Sequence, residues 1–182
     1  GTGLVIWALW NHYESTREIE FISEMYEQMV TRCADFLASF IQPGLGLPKP
    51  SYDLWEERLG IFTYTCSAVY AGLEAAAKFA RLFQENDRAA SYALAVLNIK
   101  KAVREHLFNS GEKRLIKGMY PRAGGGFDRD MAVDASTYAA FYFGLYEPGE
   151  EIINGTMKAI MERLRSGGSG GIARYEGDEY YR

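Results

Sequence analysis

Apolar and polar positions along this chain fall into two alternating helical patterns. The run Leu4-Val5-Ile6-Trp7-Ala8-Leu9-Trp10, continuing to about Tyr13, is apolar nearly all round and predicts a helix buried on several sides. Glu14-Ser15-Thr16 breaks it, and Ser15 or Thr16 can cap the next helix. From Arg17 to Ile41 the pattern is amphipathic, with Ile22, Met25, Met29, Cys33, Phe36, Leu37 and Phe40 at helical spacing. Pro43-Gly44 ends it. Ile61 to Phe83 predicts a second buried helix, whose Ala68, Gly72 and Ala76 permit close approach of a neighbour. Asn86 or Asp87 caps a second amphipathic helix, Ala89 to Phe108, with its stripe at Tyr92, Val96, Ile99, Val103 and Leu107.

The period then changes. Lys113 to Tyr120 and Gly126 to Met131 flank Pro121-Arg122-Ala123-Gly124-Gly125 and predict a β-hairpin inserted between helices. Asp134 caps a short helix running to Leu145. Pro148 suits the first turn of a last helix, with stripe Ile153, Met157, Ile160 and Leu164. Ser166 to Gly171 reads as a flexible link, and Ile172 to Tyr181 as a polar, aromatic loop. Buried helix, amphipathic helix, loop: this cadence, about three pairs of it, is that of an all-α α/α toroid or solenoid. The helices are too long for ankyrin or tetratricopeptide repeats.

A chain of 182 residues predicts one domain spanning 1–182. A net charge of −4 gives no electrostatic footprint for nucleic acid. The first apolar run is too short to span a membrane and lacks the basic start of a signal peptide. Cys33 and Cys66 have no Cys-x-x-Cys spacing and read as free thiols of a cytoplasmic protein. His12 and His106 lie on separate predicted helices, which leaves a zinc site or Ser-His triad little to stand on. Gly124-Gly125-Gly126 is not followed by Gly-Lys-Ser/Thr, so it reads as a hairpin turn and not as a phosphate loop.

The chemistry concentrates in Leu47-Pro48-Lys49-Pro50-Ser51-Tyr52-Asp53-Leu54-Trp55-Glu56-Glu57-Arg58. Two prolines hold this stretch out of any helix. Trp55 offers a flat apolar face for a sugar ring, beside two carboxylates. An apolar wall favours the protonated form that a general acid needs, and Arg58 can hold one of the pair ionised. The bland alternative is that Glu56-Glu57 are a solvated acidic helix start. Arg174, Tyr175 and Asp178 form a second, weaker cluster: an Arg can fork two sugar hydroxyls and a Tyr can line a ring, against the alternative of a mobile tail with stray charges.

Pro50-Ser51-Tyr52-Asp53-Leu54-Trp55-Glu56-Glu57-Arg58, then Phe62-Thr63-Tyr64-Thr65 and Ala71-Gly72-Leu73-Glu74-Ala75-Ala76, closely resemble glycoside hydrolase family 15, the family of glucoamylases, glucodextranases and some archaeal and bacterial trehalases. Gly3-Leu4-Val5-Ile6-Trp7-Ala8-Leu9 resembles an inner barrel helix, and Gly171-Ile172-Ala173-Arg174-Tyr175-Glu176-Gly177-Asp178 a glycone-binding loop. The resemblance implies an (α/α)6 toroid, of which this chain is about half, and hydrolysis with inversion, without metal or cofactor. By position, it makes Glu56 the general acid and Glu57 a sugar binder on the leaving side. Trp55 lines the pocket, the Leu54 carbonyl contacts the glycone, Arg174 holds its hydroxyls, and Tyr175 and Asp178 support that loop.

Inversion needs a second carboxylate about 6.5–9.5 Å from the acid, to activate water. Adjacent Glu56 and Glu57 cannot flank opposite faces of a sugar. By resemblance the base motif lies beyond Arg182, and an Arg-Asp pair for the glycone before Gly1. The expectation is therefore a middle fragment carrying the acid without the base, inactive alone, that self-associates or needs a complementary chain. Its parent takes an α-glucan, a maltooligosaccharide or trehalose. The alternatives are an α,α-trehalase of the same family and a non-catalytic sugar-binding remnant or split subunit.

Overall fold

A computed structural model of the chain describes residues 1–166 and 170–179. The expected link residues Gly167, Gly168 and Ser169, and the aromatic close at Tyr180 and Tyr181, lie outside the described residues. The chain divides into two compact units: Gly1–Lys49 with Ala68–Ala102, and Pro50–Ser67 with Val103–Arg182.

The first unit is helical. Helix α1 (Thr2–Thr16) runs through the expected break, because Ser15 and Thr16 turn their hydroxyls back to the carbonyls of Asn11 and His12, both at 3.0 Å. It ends instead at Arg17, in the left-handed conformation with φ 59°. Only one stripe of α1 is buried (Gly3, Ile6, Leu9 and Tyr13), and Val5 is exposed, so burial on several sides does not hold for this helix.

The expected amphipathic helix after Arg17 is present as α2 (Ile19–Met25), a π-helical stretch (Tyr26–Thr31) and α3 (Arg32–Ser39). Its buried face keeps Ile22 and Leu37 of the expected stripe, while Met25, Met29, Cys33 and Phe40 are half-buried. Ile22, Tyr26, Val30, Ala34 and Leu37 are buried, whereas Phe36 is 51% exposed. Residues spaced strictly by four drift around a 3.6-residue helix. The wider π turn corrects that drift and keeps Tyr26, Val30 and Ala34 on one side.

Helices α4 (Thr63–Leu82) and α5 (Asn86–His106) keep their expected stripes, but α5 starts three residues early: Ala89 N–H already donates to Glu85 O, so Asn86 and Asp87, the expected caps, lie inside its first turn. From Ala68 to Ala80, α4 is buried almost throughout, and α5 buries Tyr92, Val96, Ile99 and Val103 as one stripe. The small residues of α4 serve α1: a Cβ at Gly72 would lie 2.5 Å from Gly3 Cα, and one at Gly3 would lie 2.2 Å from the Ala68 carbonyl oxygen. Backbone cannot retreat as a side chain can. Gly72→Ala is expected to cost about 1–3 kcal/mol by overpacking, read as a lower urea midpoint. An unchanged midpoint would show that the two helices are free to part.

The second unit carries the sheet, which is larger than the single expected hairpin. Strands β1 (Ser51–Tyr52), β2 (Leu59–Phe62), β5 (Gly118–Pro121) and β6 (Phe127–Asp130) form one antiparallel sheet in the order β1-β2-β5-β6. Two residues assigned to a helix by pattern, Ile61 and Phe62, are strand, paired with Met119 and Gly118. The expected hairpin is β5–β6, with Gly118 opposite Asp130 and Tyr120 opposite Asp128. Its tip needs Gly124, Gly125 and Gly126, all at positive φ, a conformation that residues with a Cβ rarely adopt. A second ladder joins β3 (Phe108–Asn109) to β4 (Arg114–Leu115), so Phe108 lies beyond the end of α5.

The segment after Asp134 is a 3-10 turn (Ala135–Tyr138) continued by a single α turn, α6 (Ala139–Tyr142). Pro148 precedes the last helix, α7 (Glu151–Arg163), instead of occupying its first turn. Val133 packs with Ala159, Ile160 and Leu164 of that helix and its end. The stretch after it returns alongside: Ala173 N–H donates to Leu164 O, Ala135 N–H to Arg174 O and Glu176 N–H to Val133 O, at 2.8–2.9 Å. Residues 133–135 and 173–176 are thereby fixed against each other. Among the described residues, no helix is long and apolar enough to cross a membrane.

Candidate active site

The second unit gathers the residues singled out by sequence. The loop joining β1 to β2 spans Asp53 to Arg58 and is built on Asp53, which is 6% exposed. Asp53 N–H donates to Arg58 O at 3.0 Å, and Asp53 O accepts from Glu56 N–H at 3.2 Å. The Asp53 carboxylate closes the turn through Oδ1, which accepts from Glu57 N–H at 2.9 Å and Arg58 N–H at 3.4 Å. This forces Glu56 to φ 59°, a left-handed conformation costly for a residue with a Cβ.

The consequence is a sorting of two neighbours. Glu57 is held: its Oε1 lies 3.0 Å from Arg174 Nη2, and its Oε2 accepts from the Tyr175 hydroxyl. Glu56 is exposed, and its carboxylate makes no ion pair or side-chain hydrogen bond among the described residues. The two are thus not an idle acidic helix start. Arg58, expected to hold one of them ionised, does not. It lies 5.7 Å over the Tyr120 ring, and the bond to Tyr120 raises its pKa further. Arg58 enters β2 directly, and β5, which carries Tyr120, is the neighbouring strand.

The cation for Glu57 is Arg174. Its Nε and Nη2 reach the two oxygens of Asp178 at 2.7 and 2.6 Å, a forked pair. That pair, and then Glu57, raise the Arg174 pKa. The Tyr175 hydroxyl is pushed up to about 12, chiefly by its bond to Glu57. Arg174 also lies 5.3 Å over the Trp55 ring and 5.4 Å over the Tyr175 ring. Trp55, Glu57, Arg174, Tyr175 and Asp178 therefore meet in one place. Leu54 is exposed at the head of the loop, and among the described residues its carbonyl accepts no side-chain hydrogen bond.

Three residues central to this arrangement were not assigned to the site by sequence reasoning. Asp134 is the expected helix cap, its Oδ1 accepting from Ser136 N–H at 2.7 Å, but its Oδ2 also accepts from Trp55 Nε1 at 3.0 Å. Asp53 was read only as part of the motif. Lys117 carries no motif, yet its Nζ lies 3.3 Å from Asp134 Oδ2 and 3.7 Å from Asp53 Oδ2. The only available signal was a lysine one residue ahead of a strand that is otherwise apolar. Cys33 and Cys66 are free thiols, and burial pushes the Cys66 thiol up.

This is a helical protein in which a hairpin loop of paired carboxylates meets an Arg-Tyr-Asp loop. The model of the family Glycosyl hydrolases family 15 matches residues 1–182, and the chain belongs to that family. It is 30% identical over 180 residues to an uncharacterized glycosyl hydrolase of Methanocaldococcus jannaschii, covering 98% of this chain and 27% of that protein. A glycosidase variant solved in complex with glucose superposes with TM-score 0.76 at 22% identity, covering 98% of this chain and 42% of that one. A bacterial glucoamylase complexed with acarbose superposes with TM-score 0.68 at 24% identity, covering 86% of this chain and 25% of that one. At those identities the likeness shows the fold, and it agrees with the helical toroid class expected from the resemblance. The chain spans about a quarter of the curated relative and under half of the glycosidase.

Proposed function

We propose that this chain is the acid-bearing part of an inverting hydrolase that releases glucose from α-linked glucans or oligosaccharides, with Glu56 as general acid. The observation that carries the reading is the sorting of Glu56 from Glu57: one carboxylate left open on a strained turn beside Trp55, its neighbour locked to Arg174 and Tyr175. An open carboxyl beside an indole suits proton delivery to a leaving oxygen. A fixed carboxylate, arginine and tyrosine suit hydroxyl recognition, and the Leu54 carbonyl can add one acceptor to the glycone. The glucose and acarbose of the two similar structures support a carbohydrate substrate. The reading needs no metal or cofactor.

The spans of 27% and 42% support the further proposal that the carboxylate base belongs to a part of the fold outside this chain. They equally favour a second reading, a sugar-binding remnant or split subunit that works with a complementary chain. Sequencing the DNA on both sides decides: an uninterrupted frame carrying the rest of the barrel supports the enzyme, and stop codons the remnant. Leu94 and Leu97 of α5, 60% and 65% exposed, support association of the isolated chain, and a clean monomer on sedimentation would count against it. The free thiols support a reducing compartment, the cytoplasm.

Glucose release by the full-length protein from maltooligosaccharides and from trehalose tests the main reading. Release from the former is expected, and release from trehalose alone would make the protein a trehalase. Release from neither, with Glu56 and Glu57 intact, would sink the hydrolase reading.

A further inference from the structure

The geometry points to Lys117 as a positioning residue that sets the register between the acid loop and the sugar-binding loop. Lys117 is 4% exposed, and its backbone is fixed by Thr63, whose N–H donates to Lys117 O at 3.1 Å and whose hydroxyl donates to Ile116 O at 2.7 Å. From this anchor the ammonium reaches three segments that are far apart in sequence. It meets Asp53, whose other oxygen closes the turn that presents Glu56. It meets Asp134, which holds the Trp55 indole. It sits 3.7 Å from the centroid of the Tyr175 ring, whose hydroxyl bonds Glu57 and whose backbone pairs with Asp134.

One buried cation thus serves two buried carboxylates and one aromatic face. Among the described residues Asp53 Oδ2 has no hydrogen-bond partner, so the ammonium is what compensates its charge there. A compact point charge on a flexible stem can face three directions at once, where a planar guanidinium would favour one fork. Without it, the turn under Glu56, the indole beside it and the ring of Tyr175 lose their common tie. A shift of about 1 Å in a reacting group costs roughly 10²-fold in rate.

The kinetic part of this inference rests on the hydrolase reading, whereas the tie itself does not. Lys117→Met alone leaves two buried carboxylates uncompensated and is prone to misfold. The double variant Lys117→Met with Asp53→Asn removes one charge of each sign and is the one to measure, in the full-length protein. Its expected result is a cooperative thermal transition, amide exchange faster by about 10-fold in both 53–58 and 172–178, and kcat/KM lower by roughly 10²-fold. Lys117→Arg is expected to recover folding and charge but only part of the rate.

Unchanged exchange in either segment overturns the tie, whether or not the protein is active. Faster exchange with unchanged kcat/KM overturns the positioning role. Faster exchange in both segments, with wild-type protein that releases no glucose, upholds the tie and overturns the hydrolase reading instead.

Discussion

Glu56→Gln is expected to abolish turnover of natural substrates by the full-length enzyme, lowering kcat by about 10²–10⁴-fold, the usual worth of a general acid, while sparing sugar binding. The structure makes this a clean substitution. Glu56 makes no side-chain bond among the described residues, so an amide of the same shape breaks none. Its left-handed φ of 59° burdens Gln as it burdens Glu. What changes is the proton. An α-glucosyl fluoride, whose leaving group needs no protonation, should therefore keep most of its rate, and the alkaline limb of the pH–rate profile should disappear. The contrasting variant is Glu57→Gln, which weakens the contacts to Arg174 and Tyr175 and should raise KM more than it lowers kcat. Normal turnover of maltose by Glu56→Gln would remove Glu56 from the role.

The contrast between these two glutamates also shows what is legible in one dimension. Local signals read well. The Gly124–Gly126 turn, the Asp134 cap and the α5 stripe each depend on residues within a few positions of one another. Strands β1 and β2 are not legible because two and four residues are too few to show a period, and the strand that continues the sheet beyond β2, β5, lies over fifty residues away. The middle of the α2–α3 stripe is misplaced in the pattern because its spacing by four suits a π turn, which no local residue announces. In the candidate site, motif order points to Trp55, Glu56 and Glu57, but not to what sorts them. That sorting depends on Asp53, Lys117, Asp134 and Arg174, which come together only when the sheet and the 133–135 stretch have formed. Proximity in sequence makes Arg58 the nearest charge partner for the pair. The pleat sent Arg58 to Tyr120 and left Glu57 to Arg174.

Arg174 carries the second large effect. Arg174→Ala is expected to weaken binding of a glucose-terminated ligand by about 10-fold or more, each charge-assisted bond being worth about 1.5–3 kcal/mol. Calorimetric titration of the Glu56→Gln enzyme with maltose reads this without turnover. Two explanations compete. Arg174 could act on the sugar, or it could only hold Glu57 and Asp178 together, since both carboxylates converge on it at 3.0 and 2.6 Å. Removing it leaves two like charges facing each other, so a single variant confounds the two. The double variant Arg174→Met with Asp178→Asn separates them: it removes the repulsion and restores loop order without restoring a guanidinium. Affinity that stays low in the double variant makes Arg174 a sugar ligand. Affinity that returns to the wild-type level makes it a brace for Glu57 alone. The first outcome is expected because the planar guanidinium sits against Trp55 and Tyr175, within reach of the hydroxyls of a sugar bound beside them. Arg174→Lys, with the charge but not the fork, should then bind nearly as poorly as Arg174→Ala.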